Sequence, residues 1–505
     1  MEKGWQKNRP RSAVKIAEAT LAALLCLEIT VNAGYGIGEA GIFPKQNYLT
    51  KKENIMPAVN SVVQSEKTGG YGFERMEFTA HTTYNTPVIY GYKGISYYSS
   101  TSYVAVNEMF GSLGLIDSNA WYVYRSAPPT LNSMFAVRYL LSQDGAYYNG
   151  IYPEADPFAI NENAPGGPES TSQDAAGGAD AAGGTDAANP VYVYENPYFL
   201  PVGFMVDDNI LNWNLGQTNP FRCQEDFYKL STGLTRQLFH KLEPWADRLE
   251  NITITSGGGS DGIYRYKPVD AARSMKAVYK VRAEADGPVY LYAKGAKIEN
   301  VKVTNHTFLA LSGAGYGVIG AQARSGDWKD APAAGKLPPA FTDHNIRYPY
   351  IIDAQYTRAG DDIEIELIFD NQDADSFTLY AYYFDEFVFN SVWQRLSQQA
   401  LLVTGYTDTG LDGVIEVIEP GLMYTSIPYS DGWRATVDGL PACIETIGDG
   451  ALLAVRLAPG IHSVSFRYMT PGLIPGALIT LCAALLLTVI SIYKKIRRTN
   501  PRQPS

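Results

Sequence analysis

Few side chains in this 505-residue chain are spaced for chemistry. Tyr429 and Trp433 set two aromatic rings around the acidic Asp431. Rings of this kind offer an apolar face with a polar edge, so both stand as glycan-contact candidates. The Asp431-Gly432 and Asp438-Gly439 pairs nearby are accounted for by tight turns, so maintenance of the fold is the competing role for Trp433, Asp431 and Asp438. Gly258-Gly259-Ser260-Asp261-Gly262 fits the nucleophile elbow G-x-S-x-G, but no apolar strand feeds it and it reads as a loop. Gly36 to Gly41 and Gly315 to Gly320 both fit G-x-G-x-x-G. Neither sits cleanly between a strand and a helix, which excludes a dinucleotide site.

Metal chemistry fares no better. The five histidines, His81, His240, His306, His344 and His462, have no zinc-ligand spacing. Asp370, Asp373 and Asp375 lack the bidentate Glu that a calcium loop needs and read as a solvated turn. Asp174, Asp180 and Asp186 recur every six residues without the bulky apolar positions of a calcium repeat. The expectation is no metal and no cofactor, with the catalytic residues unassigned.

The remaining polar candidates lie inside an apolar stretch. Glu28 and Asn32 are one helical turn apart in a segment running from about Ala13 to Ala33. An ionisable group at membrane depth costs a few kcal/mol unless it faces protein or water. Glu28 and Asn32 are therefore expected to contact other membrane helices, with a helix-end cap as the plain alternative. A second apolar run, Leu473 to Tyr493, carries no charge. About 20 apolar residues span a bilayer. Basic residues flank both runs on their outer sides: Lys3, Lys7, Arg9, Arg11 and Lys15, then Lys494, Lys495, Arg497 and Arg498. Clustered Lys and Arg mark the cytoplasmic side, so both ends are expected inside and the body outside. A cleaved signal peptide is the rival for the first run, and Glu28 late in the apolar stretch argues against it.

Composition suits such a body. The net charge is −11, with no basic stripe outside the flanks, which excludes nucleic acid as a partner. Four cysteines, two of them in the apolar runs, give no disulfide framework; Cys223 and Cys443 remain. The 36 tyrosines favour strands and reach water with their hydroxyls.

The elements divide the chain into a membrane-anchored α+β protein. Residues 1–12 and 494–505 read as cytoplasmic tails, and 13–36 and 471–493 as transmembrane helices. Residues 37–160 read as a mixed α/β region, with Pro87 to Tyr98 strand-like and Val104 to Leu113 helical. Residues 161–190, almost without apolar side chains, read as a disordered Gly/Ala/Asp-rich insertion. Residues 191–262 read as a helical connection, with helix expected across 220–250 and a break at Pro244. Strands in series over 263–402, closed by a helix from about Phe387, predict a β-sandwich-like domain. Residues 403–470 predict a small antiparallel β-domain, an apolar face on Trp433, Ala435 and Val437 meeting another on His462, Val464, Phe466 and Tyr468.

Several segments carry a resemblance to a known family. They are Leu27 to Ala33; Ser133 to Leu141; Leu200-Pro201-Val202-Gly203-Phe204; Asn219-Pro220-Phe221 with Gln224; and Ser426 to Trp433 with Val437-Asp438-Gly439 and Pro459-Gly460-Ile461-His462. With these the chain resembles the C-terminal part of the YfhO family of bacterial membrane proteins. The resemblance implies a GT-C-like glycosyltransferase acting on the outer face. It would move a sugar from a polyprenyl-phosphate donor to an envelope polymer such as lipoteichoic acid, with a carboxylate as base. In GT-C enzymes that carboxylate lies near the start of a multi-helix block, so the resemblance also implies an N-terminal membrane bundle, separate or missing, as a partner. The alternative is a non-enzymatic surface protein that binds glycans or polymers.

Overall fold

The computed structural model describes residues 11–39, 52–68, 72–79, 83–142, 150–155, 191–305, 307, 342–345, 349–369 and 373–499. The insertion at 161–190, the motif at Gly315, the residues His81, His306 and Asp370, and the aspartates at 174, 180 and 186 lie outside them. The chain divides into two units, Met1–Glu53 and Asn54–Ser505. The first contributes one described helix, Arg11–Glu39.

The second unit is α+β, with most strands antiparallel. Its largest part holds two sheets. One has the order Trp245–Glu250, Met275–Arg282, Asp362–Phe369, Ile298–Asn305, Thr342–Asn345. The other has the order Ile252–Gly257, Ile263–Pro268, Asp375–Phe384, Gly287–Lys294, Ile351–Thr357, with Phe239–Leu242 paired to the end of Asp375–Phe384. Asp362–Phe369 alternates strictly between half-buried and buried residues, the signature of a strand with one wet face. Its inner residues Ile363, Ile365 and Leu367 share a core with Tyr264, Leu291, Ile352 and Leu379 of the other sheet.

The C-terminal part also holds two sheets rather than the single small antiparallel unit expected. Leu402–Thr407, Gly410–Val417, Gly460–Tyr468, Trp433–Val437 and Leu440–Ala442 form one. Ile444–Ile447, Leu452–Leu457, Gly421–Pro428 and Gly203–Val206 form the other. Gly203–Val206 arrives from about two hundred residues upstream. It was invisible as a partner because pairing across such a separation leaves no local signal.

Gly421–Pro428 and Gly287–Lys294 are buried almost throughout. Strands covered on both faces read as continuous apolar runs. The cover is supplied by helices Pro220–Thr232 and Glu386–Ser397. Phe221, Phe227, Val388 and Phe389 join Tyr290, Tyr382, Leu422 and Tyr424 in one core. Asn219 caps the first helix, accepting the N–H of Phe221 at 3.0 Å, and its amide donates to Tyr382 Oη at 2.8 Å. Asp385 caps the second through Val388 N at 2.9 Å. A further helix, Lys52–Thr68, lies on the sheet of Arg75–Phe78, Val137–Ser142, Tyr192–Glu195 and Glu154–Ala155 through Ile55, Val59 and Val62.

Two expectations fail for local reasons. Thr86–Tyr90 is a helix, not the start of a strand. Pro87 suits the first helical turn, and Gly91, at φ 71°, ends it by donating to Pro87 O. Only Tyr97–Tyr98 of that stretch pairs as a strand. The expected helix over 220–250 stops at Gly233, φ 67°. Beyond it Phe239–Leu242 and Trp245–Glu250 are strands, with Pro244 between them. The residues 191–262 are thus only partly helical.

One half-buried contact ties the N-terminal sheet to the C-terminal one. The Arg75 guanidinium donates to Phe135 O and Ser426 Oγ, each at 2.7 Å, and to Ser426 O at 3.3 Å. Hydrogen bonds to a charged group contribute about 1.5–3 kcal/mol each. Arg75→Ala is therefore expected to destabilise the protein by about 3 kcal/mol or more, and Arg75→Lys, with point-like donors, by less. The check is the denaturant midpoint of the detergent-solubilised chain; an unchanged midpoint in Arg75→Ala would contradict the assignment.

Candidate functional site

The two aromatic candidates lie in one turn, which meets the chain just ahead of the last helix. Gly421–Pro428 runs directly into Tyr429, Ser430, Asp431 and Gly432, and Trp433 begins the next strand. The turn is held from within. Trp433 Nε1 donates to Pro428 O at 3.1 Å, Tyr429 Oη donates to Asp431 Oδ1 at 3.1 Å, and Trp433 N donates to Ser430 O at 3.1 Å. Both polar ring groups are thus used by the fold. The ring of Trp433 packs on Tyr468, 5.2 Å between centroids.

Two more groups join them that sequence reasoning missed. Tyr103, 327 residues upstream of Ser430, donates its hydroxyl to Ser430 Oγ at 3.0 Å and lies 3.4 Å from Tyr468 Oη. Met469 N donates to Gly432 O at 3.0 Å. The approach is so close that a Cβ on Gly432 would run into the Met469 carbonyl oxygen. The available signal was position: Tyr468 and Met469 lie just ahead of the apolar run. Among the described residues Leu473–Tyr493 is the one helical segment long and apolar enough to cross a membrane, with mean hydropathy 2.5. The apolar part of Arg11–Glu39 is shorter, Ala19–Ala33, because Lys15 and Glu18 interrupt it. Glu28 and Asn32 are both exposed on that helix, one turn apart.

The far end of the same hairpin is locked by charge. Asp438 adopts φ 53° in the turn before Gly439. Its carboxylate takes His462 Nδ1 at 2.7 Å and Ser463 N at 2.9 Å, while His462 Nε2 faces Ala458 O at 2.9 Å. With an acceptor at each ring nitrogen, the imidazolium satisfies both. The Asp438 carboxylate accordingly raises the His462 pKa.

Two carboxyl groups are held above the usual carboxylate range. Burial pushes Asp117 up to about 6, with Lys294 opposing. Asp117 sits against Gly111, where a Cβ would come within 2.6 Å of its Oδ1. Its backbone pairs with Tyr122, which also pairs with Tyr97. Glu77 is fully buried in Arg75–Phe78. Its Oε1 accepts the N–H of Ile95 and, at 2.8 Å, that of Ser96. Burial nevertheless pushes its carboxyl up to about 8, against those bonds and the charge of Arg75.

Other features are structural. Gly258 to Gly262 joins two strands, Ile252–Gly257 and Ile263–Pro268, so Ser260 lies in a hairpin turn and not at a strand-to-helix elbow. A cleft of about 280 Å³ beside helix Pro220–Thr232 is lined by Arg222, Glu225, His240, Lys241 and Glu284 over Phe221 and Tyr382. Most of its charges are already paired: Glu225 with Lys229 at 3.3 Å, His240 with Asp385 at 3.2 Å, Lys241 with Glu243 at 2.8 Å. The described cysteines are all free, with Cys223 buried and Cys443 exposed.

A family profile described as "Bacterial membrane protein YfhO" matches residues 9–480. No curated protein sequence matches the chain. Among solved structures, arabinofuranosyltransferase AftD from Mycobacteria aligns at 12% identity and TM-score 0.14, over 46% of this chain and 26% of that one. This chain therefore spans about a quarter of AftD's length. The CBM32 and M60 domains of Clostridium perfringens ZmpB align at 8% identity and TM-score 0.18, over 45% of this chain and 36% of that one. A Paenibacillus cycloisomaltooligosaccharide glucanotransferase aligns at 8% and 0.13, over 45% and 44%. TM-scores this low carry no argument about fold or activity.

The buried carboxyl sets a pH dependence with a definite sign. Folded Glu77 keeps its proton to about pH 8, whereas the ordinary value is 4.5. The stability it contributes is fully present below the ordinary value and is lost as pH rises through about 8. The thermal midpoint is expected to fall by several degrees between about pH 5 and about pH 9, and Glu77→Gln to flatten that fall. Parallel curves for the two proteins would contradict the assignment.

Proposed function

The chain belongs to the YfhO family of bacterial membrane proteins, and from that premise we propose that it is the extracytoplasmic and anchoring part of a GT-C-like membrane glycosyltransferase. Its donor is a polyprenyl-phosphate sugar and its acceptor an envelope polymer such as lipoteichoic acid. On this reading both termini lie in the cytoplasm, residues 13–36 and 471–493 are the two spans, and the body is extracytoplasmic. The strands of residues 263–402, joined by those of 239–257, form a β-sandwich.

One observation carries this reading. The segment Ser426 to Trp433, which carries part of the resemblance, meets the chain at Met469, four residues ahead of the apolar helix. A lipid-linked sugar presents its reactive carbon at headgroup level, so a domain that handles it must place its recognition surface there. Trp433 and Tyr429, with their polar groups held by the turn, would offer ring faces to the glycan. Glu28 and Asn32 would meet the helices of the membrane bundle, since a carboxylate at that depth is costly against lipid.

Loss of the chain from the cell is expected to strip the sugar from the envelope polymer, read by mass spectrometry, and the full chain to restore it. Unchanged substitution would refute transfer and leave the glycan-binding alternative. Glu28→Leu is expected to lower both membrane assembly and envelope glycosylation; if neither changes, Glu28 has no partner in the bilayer.

A further inference from the structure

The face around Tyr103 and Met469 is apolar, exposed and next to a span. Tyr103 is 48% exposed, Val104 63% and Met469 53%, with Tyr97 at 39% beside them. A contiguous patch of such residues on a soluble surface calls for a partner. Leu473–Tyr493 has 21 residues, which at about 1.5 Å each matches a hydrocarbon core of about 30 Å. Leu473 is therefore at the edge of that core. Leu473 N donates to Thr470 O at 3.2 Å, closing a turn that holds the two Cα atoms within about 7 Å. Met469 and Tyr468 are then within roughly 10–15 Å of the hydrocarbon edge by chain length alone. Tyr103, Trp433 and Ser430 are tied to Tyr468 and to its turn by the contacts above. Tyrosine and tryptophan settle at this level because their rings are apolar and their edges wet.

We infer that the face formed by Tyr97, Tyr103, Val104, Trp433, Tyr468 and Met469 docks in the headgroup layer of the outer leaflet. The bilayer is a second attachment of the body, additional to the helix itself. The docking fixes the tilt of the two C-terminal sheets over the membrane. It rests on the span and the contacts, not on sugar transfer, so it stands or falls separately from the activity.

Site-directed nitroxides test it in the full chain. Cys26, Cys443 and Cys482, the exposed thiols, are replaced by serine. Cys223 stays, since burial pushes its thiol up to about 12 and shields it from labelling. Single labels are placed at Val104→Cys, Met469→Cys and Leu440→Cys in nanodiscs of phosphatidylcholine and phosphatidylglycerol. Leu440 is 71% exposed and lies at the opposite end of the hairpin, beyond the pairing of Val437 with Val464. The ratio of oxygen to nickel-chelate accessibility is expected to be several-fold higher at residues 104 and 469 than at 440. If residue 104 matches 440 while 469 alone is shielded, only the helix attaches and the inference fails. Equal shielding at all three positions also overturns it, since the contact would then be unspecific.

Discussion

Strand Gly421–Pro428 is the constraint on which the rest of the body depends. It is covered on both faces, by helices and tyrosines on one side and by the five-stranded C-terminal sheet on the other. It pairs with Leu452–Leu457 on one edge and Gly203–Val206 on the other. Tyr424 donates its hydroxyl to Met134 O at 3.0 Å, and Ser426 receives Arg75. Burying one tyrosine removes roughly 150–250 Å² from water, worth about 4–6 kcal/mol at about 25 cal/mol per Å² before entropy is counted. A neutral hydrogen bond adds about 1 kcal/mol. Burial therefore supplies most of the stabilisation, and the hydrogen bonds decide which surfaces meet.

That strand also explains why the family-like residues cluster as they do. Met134, Phe135 and Arg138 belong to the segment 133–141, Val202 and Gly203 to 200–204, and Asn219 to the helix cap. All of them touch or flank the same two cores. The strand then delivers Tyr429 to Trp433 to the turn that meets Met469, four residues ahead of the apolar helix. Position there follows from packing far from the turn, through one rigid element.

Much of the strand content was legible because one-sided strands alternate. Asp362–Phe369 and Gly460–Tyr468 show this plainly. The helices over Val104–Ser112 and Glu386–Ser397 were also foreseen, their boundaries shifted by the Asp385 cap and the Leu113 end. What escaped were features without a local signature. Gly421–Pro428 has no alternation, since both faces are covered. Phe239–Leu242 is too short to show a period, and its partner lies some 140 residues away. The site behaved likewise: Tyr429 and Trp433 were read from their types, while Tyr103 and Ser430 came together only through the tertiary fold.

If one strand locks the N-terminal sheet to the C-terminal one, the two must open together. Hydrogen exchange on the detergent-solubilised chain reads this directly, comparing the amides of Met423 to Ser426 with those of Arg75 to Phe78. The account predicts one slow class with a common opening free energy for both segments. Fast exchange of either segment while the other stays protected would contradict it.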